Sequence, residues 1–286
     1  MRRLFLLSAV AVCFLIPVAC NLDTTVNQIS AETMMVGTLL STPDVPLSPE
    51  AIAGLDGGVS TDGGQSTITI PGQTAAIVFL GTRKGESSAP EPLSGATVAL
   101  QNGTQKVNLS SDGAGSYSRS NNSDDTLKYQ DGATYDFIAD RAGQHYVGEV
   151  KDAPIKENIS ALHPAAGVVR MAANTELAFD RADPPSGQDR TLGFVTVVPV
   201  SDSGQQGEPT YTNAPTAPLD FVKLVAVPTA WRVKHVAIPA TAFPTAKQTY
   251  LVIFQSVRLG SAQSDNLFLG SALLAGTADV GVVRTQ

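Results

Sequence analysis

Apolar residues in this chain come in short runs set off by Gly, Asn, Asp and Ser. In the first half the runs are TMMVGTLLS at 33–41, STITI at 66–70, TAAIVFLG at 74–81, GATVALQNG at 95–103, KVNLS at 106–110, GATYDFIAD at 132–140 and HYVGEV at 145–150. Alternation of this kind places every second side chain on one face, and each run is too short for a helix, so each is predicted to be a strand. A second series follows from residue 175: TELAFDR, TLGFVTVVPVS, EPTYTN, DFVKLVAV, WRVKHVAIPA, QTYLVIFQSV, NLFLGSALLAG and ADVGVVRT. Between the two series, 153–173 (APIKENISALHPAAGVVRMAA) loses the pattern and carries Pro154 and Pro164. It reads as a junction leading into the entry strand of a second unit. The pattern predicts an all-β chain of two β-sandwich domains, 31–152 and 153–286.

Two stretches stand outside the strand pattern. Residues 48–64 open on Ser48 and Pro49, an N-cap followed by proline at the first helical position, but Gly54 leaves room for only a turn or two. Asp56, Gly57, Gly58, Asp62, Gly63 and Gly64 then mark a loop. The amino end is different in kind: Arg2 and Arg3 precede an apolar run from Leu4 to Val18, and Ala19 and Cys20 follow. A positive start, an apolar stretch of this length and a small residue make a secretory leader. The polar residues after Cys20 cut the run short of the roughly 20 apolar residues a membrane span needs.

Cysteine usage sharpens this reading. The chain has 2 Cys; cleavage after residue 19 removes Cys13 and leaves Cys20 alone, with no partner for an intramolecular disulfide in an oxidising compartment. Val18, Ala19 and Cys20 resemble the end of a bacterial lipoprotein leader, with Pro17 standing where that family usually has leucine. The resemblance implies a covalent diacylglycerol on Cys20, an acylated amino end and no other cofactor. Asn21 after the cysteine, where an aspartate would favour inner-membrane retention, implies the outer membrane. Residues 20–30 are then the lipidated cysteine and a polar tether.

Composition limits the partners. Removing Arg2 and Arg3 with the leader takes 19 Lys and Arg to 17 against 26 Asp and Glu, a formal −9. Nucleic acid needs clustered Lys and Arg, so it is excluded as a partner. The membrane through the lipid, envelope proteins and polysaccharide remain.

Two further resemblances bear on the fold. Residues 93–100 (LSGATVAL), 112–117 (DGAGSY) and 132–137 (GATYDF) resemble the strand, Gly-turned hairpin and closing strand of carboxypeptidase-regulatory or transthyretin-like modules. Tyr250 opens Leu251–Phe254 after the loop PATAFPTAKQ, which resembles the tyrosine corner of fibronectin type III and immunoglobulin-like sandwiches. That resemblance makes Trp231 a core residue and both domains immunoglobulin-like sandwiches.

Candidate chemistry is sparse. His145, His163 and His235 are far apart and have no metal-binding spacing, and no GxSxG elbow is present. Asp56 and Asp62 in one loop, and Asp124, Asp125 and Asp131 in another, are candidate calcium ligands by composition, although neither loop has EF-hand spacing. Tyr117, Tyr135 and Tyr250 occupy strand positions that predict core, which leaves Tyr129, Tyr146 and Tyr211 as candidate stacking platforms for a sugar. The reading favoured is a non-catalytic, membrane-anchored envelope protein with a structural, binding or adhesion role. The alternative is a lipid-tethered hydrolase whose site is assembled between domains from His145 or His235, an acid and a serine.

Overall fold

The structure, a computed structural model, describes residues 22–47, 68–83, 89–122, 124–201 and 204–286. The leader, Cys20, the helix start at Ser48, Asp56 and Asp62 lie outside the described residues. The fold is all-β, as the alternation requires, and is arranged as packed sheets. Its main element is a ten-stranded sheet whose path runs Tyr211–Thr212, Leu192–Val200, Thr249–Leu259, Ala272–Thr285, Thr33–Thr42, Gln73–Thr82, Ser116–Ser120, Ser110–Ser111. Strands from both halves of the chain therefore share one hydrogen-bonded layer, the second-half strands on one side and the first-half strands on the other, meeting where Ala272–Thr285 lies beside Thr33–Thr42. The large sheet runs across the expected boundary at 152/153, and the first core draws Ala262, Leu267, Leu273 and Ala275 from beyond it.

The C-terminal strand Ala272–Thr285 joins the halves. Antiparallel Thr249–Leu259 covers one of its edges from Leu274 to Arg284. On the other edge Val36–Ser41 pairs in parallel with Ala272–Thr277, and Val169–Met171 pairs in parallel with Val283–Thr285. All 14 residues are buried. A strand covered on both faces reads as a nearly continuous apolar run without alternation. The pattern had divided this element into NLFLGSALLAG and ADVGVVRT; Gly276 is not a break, because a Cβ there would stand 2.3 Å from the carbonyl oxygen of Ser256.

Residues on one face of this strand enter two cores in succession. Leu273 and Ala275 join a first core with Met35, Leu39, Val78, Leu80 and Tyr117 from the same sheet, closed by Val98, Leu100, Phe137 and Val150. The closing layer is a five-stranded sheet ordered Ser261–Ala262, Gln144–Val150, Tyr135–Arg141, Thr97–Asn102, Gln105–Asn108. Val283 joins a second core with Val195, Val197, Val252 and Phe254, covered by Phe179, Val236 and Ile238. Here the covering sheet has only the strands Leu177–Asp180 and His235–Ile238, and Ile159, Leu162, Ala242 and Phe243 from turns complete the layer.

The first sandwich is locked by a reciprocal fit. Gly37 and Leu273 are cross-strand partners in the large sheet, and Phe137 and Gly148 are partners in the facing sheet. A Cβ on Gly37 would come within 2.6 Å of the Phe137 ring, and one on Gly148 within 1.9 Å of Leu273 Cδ1. Each large side chain thus occupies the space over the opposite glycine, and both are fully buried.

Three buried tyrosines tie loops to these layers. The Tyr250 hydroxyl accepts the Thr245 N–H at 3.1 Å, and the Tyr135 hydroxyl accepts the Gln130 N–H at 2.6 Å. The Tyr117 hydroxyl accepts from Ala96 N–H at 3.0 Å and donates to Leu93 carbonyl at 3.2 Å. A buried phenol needs such partners, and each supplies a bond that orders an incoming turn.

Two segments differ from expectation. DFVKLVAV is not a strand: Pro218–Ala226 is a helix with Pro at its first turn, Asp220 near its N-terminus, and Phe221 and Leu224, three apart, packed inward. The tether is likewise ordered, because Leu22–Ser30 forms a helix. Gln28, 5% exposed, fastens it by donating to the carbonyls of Ala262 at 3.2 Å and Ser264 at 3.3 Å. Among the described residues no helix is long and apolar enough to cross a membrane.

Gly37→Val and Gly148→Val are each expected to destabilise the protein by about 1–3 kcal/mol or more, as overpacking does. In the double variant Gly148→Val with Leu273→Ala, the combined loss should be smaller than the sum of the single losses, measured by urea unfolding.

Candidate functional site

The seam between the two cores is polar where strand alternation would place apolar residues. Thr277 and Asp279 follow Leu273 and Ala275 at two-residue spacing on the same face of the C-terminal strand, and Ser256 is the cross-strand partner of Thr277. Neither Val36–Ser41 nor Val169–Met171 reaches residues 278–282, so among the described residues no strand pairs with the second edge there. The non-repeating segment after residue 153 packs over this stretch, where a Cβ on Gly281 would stand 2.6 Å from Leu162.

Asp279 holds that segment in place. Its carboxylate, with the side chain fully buried, accepts the Ile159 N–H at 2.8 Å and pairs with Lys156 Nζ at 3.1 Å and His163 Nε2 at 2.8 Å. All three donors lie within one turn-rich stretch that includes the 3-10 turn Ser160–Leu162. Burying a carboxylate alone would cost several kcal/mol; three converging donors, one of them the Lys156 ammonium, offset that cost.

Arg181 forms the second polar anchor. It is fully buried, and its guanidinium grips Glu157 through Nε at 3.1 Å and Nη2 at 2.8 Å. It also donates to the Thr191 carbonyl at 3.0 Å and the Thr191 hydroxyl at 2.7 Å, and lies 5.0 Å from the Phe254 ring centroid. Gly193 leaves the room: a Cβ there would sit 2.8 Å from Arg181 Nη1. Thr191 continues the network to Ser256 at 2.7 Å. Such a fork-like, multiply bonded guanidinium is the form in which a buried charge is tolerated.

A cleft of about 230 Å³ opens beside this network, lined by Pro154, Ile155, Glu157, Pro184, Pro185, Thr191, Ser256 and Arg258 among others. Ile155 on its rim is 71% exposed. The charges nearby are matched: Arg190 and Lys234 both reach Asp183, and Arg232 reaches Asp189. Hydrogen bonds from Lys234 and Arg190 hold the Asp183 carboxyl below the usual carboxylate range. The cleft brings Ser256 near Glu157 but gathers neither His145 nor His235. Those two histidines pair with Asp140 at 2.6 Å and Asp180 at 2.8 Å, each its partner across a strand pair.

The remaining candidates fall elsewhere. Asp124 is committed to a turn, accepting from the Thr126 N–H and hydroxyl and pairing with Arg119 at 3.2 Å; the Thr126 bonds lead in lowering its pKa. Asp125 and Asp131 are exposed. Among the described residues no group of three or more His, Cys, Asp and Glu is placed to hold a metal ion. Asp125 and Tyr129 do meet, lining an open depression of about 440 Å³ with Ser41, Thr74, Asn121, Leu127 and Lys128.

Tyr129 is half-buried there, stacked on Tyr135 at 5.9 Å and bonded to the Pro154 carbonyl at 2.7 Å; burial pushes its phenol well above the usual range. Tyr146 offers no stacking face, because it is buried in the first core and accepts from the Thr33 hydroxyl at 3.3 Å. Tyr211 packs against the second core. Trp231 is partly buried, edge-on to Phe194 at 6.4 Å, with its N–H donated to the Asn213 carbonyl.

The pKa of Asp136 is shifted upward by burial and by Glu149, its cross-strand partner. Asp136 flanks the inward-facing Tyr135 and Phe137 and so stands on the outer face of its sheet. The seam residues were missed because a lone Asp or Arg in a strand gives no hint of a partner far along the chain. Gly193 beside Arg181 is the trace such a site leaves.

In comparisons with known proteins, no family model matches the chain, and no curated protein matches it. The functional reading rests on the residues themselves.

Asp279→Ala is expected to cost about 1–3 kcal/mol, the penalty for orphaning the buried Ile159 N–H, and to raise hydrogen exchange selectively across 155–163. Asp279→Asn, which keeps an acceptor, should lose less. Unchanged exchange across 155–163 in Asp279→Ala would show that the seam does not hold the segment.

Proposed function

We propose that this chain is an exported envelope protein, anchored by lipid on Cys20, that binds a partner and does not transform it. The observation carrying the proposal is the leader ending at Val18-Ala19-Cys20, which leaves a single cysteine in the exported chain. Thioether-linked acyl chains occupy that thiol and contribute about 0.8 kcal/mol of membrane affinity per buried CH2, so several chains anchor the protein durably. Asn21 favours the outer membrane as its destination.

Binding without catalysis is supported by the state of the polar groups. Glu157 is taken up by Arg181, Asp279 by Lys156 and His163, and Ser256 by Thr191. A general base or nucleophile needs a reactive lone pair or proton aimed at a substrate. These groups instead hold the seam together. Contacts fall to the exposed rim of the cleft, which Ile155, Pro184, Pro185 and Arg258 line. A protein segment or polymer of the envelope fits an apolar rim beside the charged side chains of Arg190, Arg258, Asp183 and Asp189.

Cys20→Ser is expected to move the protein from the membrane to the soluble fraction in cell fractionation. A variant that still sediments with membranes would contradict the lipid anchor.

A further inference from the structure

The helix Leu22–Ser30 is docked the wrong way round for an element in water. In an amphipathic helix the apolar stripe faces the body and the polar face meets solvent. Leu22, Val26 and Ile29 recur in the sequence at the spacing of one helical face. Yet the contact with the body is made by Gln28, which is buried and bonded to the Ala262 and Ser264 carbonyls, while its own carbonyl accepts the Leu269 N–H at 3.0 Å. Val26 and Ile29 are left 59% and 56% exposed, and Leu269, brought to the same end by that bond, is 39% exposed.

Chain length says what covers this face. One residue separates Cys20 from Leu22, so their Cα atoms are at most about 7 Å apart. The nine-residue helix adds only about 14 Å at 1.5 Å per residue. If acyl chains hold Cys20 in the bilayer, the whole helix lies within headgroup reach of the lipid. From this position and orientation, resting on the lipid-anchor reading above, we propose that Val26, Ile29 and Leu269 form a membrane-contact face. It seats the end of the first sandwich directly on the bilayer rather than on a loose leash.

Charge specifies the lipid. The described segments meeting at this end carry Glu32 and Asp265 against Arg83, whose guanidinium lies over the Phe268 ring at 3.5 Å. Acids outnumber bases, so the face suits a neutral bilayer surface entered by apolar side chains, without help from anionic lipid. The far end of the molecule is then held away. Ala272 follows Leu269 closely, and the C-terminal strand runs roughly 43 Å from there to Thr285 at about 3.3 Å per residue. The second core sits at that remote end.

The test uses the full acylated chain in phosphatidylcholine vesicles. A polarity-sensitive fluorophore is placed on Val26→Cys or Ile29→Cys, with Ala246→Cys beside the far end of the C-terminal strand as a control. Acylation of Cys20, checked by mass spectrometry, leaves only the introduced thiol free. The labels at 26 and 29 are expected to emit blue-shifted light and to be quenched by spin-labelled lipid, with no further change on adding anionic lipid. The label at 246 should behave as in water. An acylated, vesicle-bound protein whose labels at 26 and 29 remain water-like would overturn the contact face and leave the anchor standing. A chain with unmodified Cys20 that fails to float with vesicles would overturn both.

Discussion

The structure depends on one strand being buried on both faces while its sequence is not apolar throughout. Ala272–Thr285 is flanked along one edge by Thr249–Leu259 and on the other by two short parallel partners that leave a gap between them. An open edge in the interior would strand backbone groups and expose the sheet. A turn held by the buried Asp279 packs over this stretch of the strand, so a single carboxylate on the most buried strand fixes the path of the residues linking the two halves.

This arrangement explains why the two apolar cores on one face of the shared strand have a polar layer between them. Hydrophobic burial supplies most of the stability of each sandwich but is indifferent to direction. The hydrogen bonds of Asp279 and Arg181 are directional, and they hold the linking segment against both the shared sheet and the covering strands. Polar seams cost more to bury than apolar ones, and what they return is a defined geometry; here it is a cleft whose rim is fixed by a salt-bridged Glu157 and whose floor is tied through Thr191 and Ser256.

Much of this was legible in the sequence where side chains alternate over a single buried face. Gln73–Thr82, Tyr135–Arg141, Gln144–Val150 and Leu192–Val200 follow their apolar runs closely, and Tyr117, Tyr135 and Tyr250 are core residues as their strand positions imply. Legibility failed where a local rule met a non-local partner. Gly276 looked like a turn because the backbone it accommodates belongs to Ser256. DFVKLVAV looked like a strand because Pro218, which starts its helix, lies just outside the apolar run. Residues 22–30 looked like a tether because Gln28 finds its acceptors more than 230 residues later. The Asp279 contacts span 116 and 120 residues, and no periodicity foretells them.

The continuity of the sheet across both halves is tested most directly by denaturant unfolding followed with two local probes. Trp231, the only tryptophan, reports on the second half, and pulsed hydrogen exchange over Thr97–Asn102 and Tyr135–Arg141 reports on the first. A strand shared by both cores predicts one cooperative transition with the same midpoint for both probes. Two separated midpoints, with either half remaining folded after the other has melted, would contradict it.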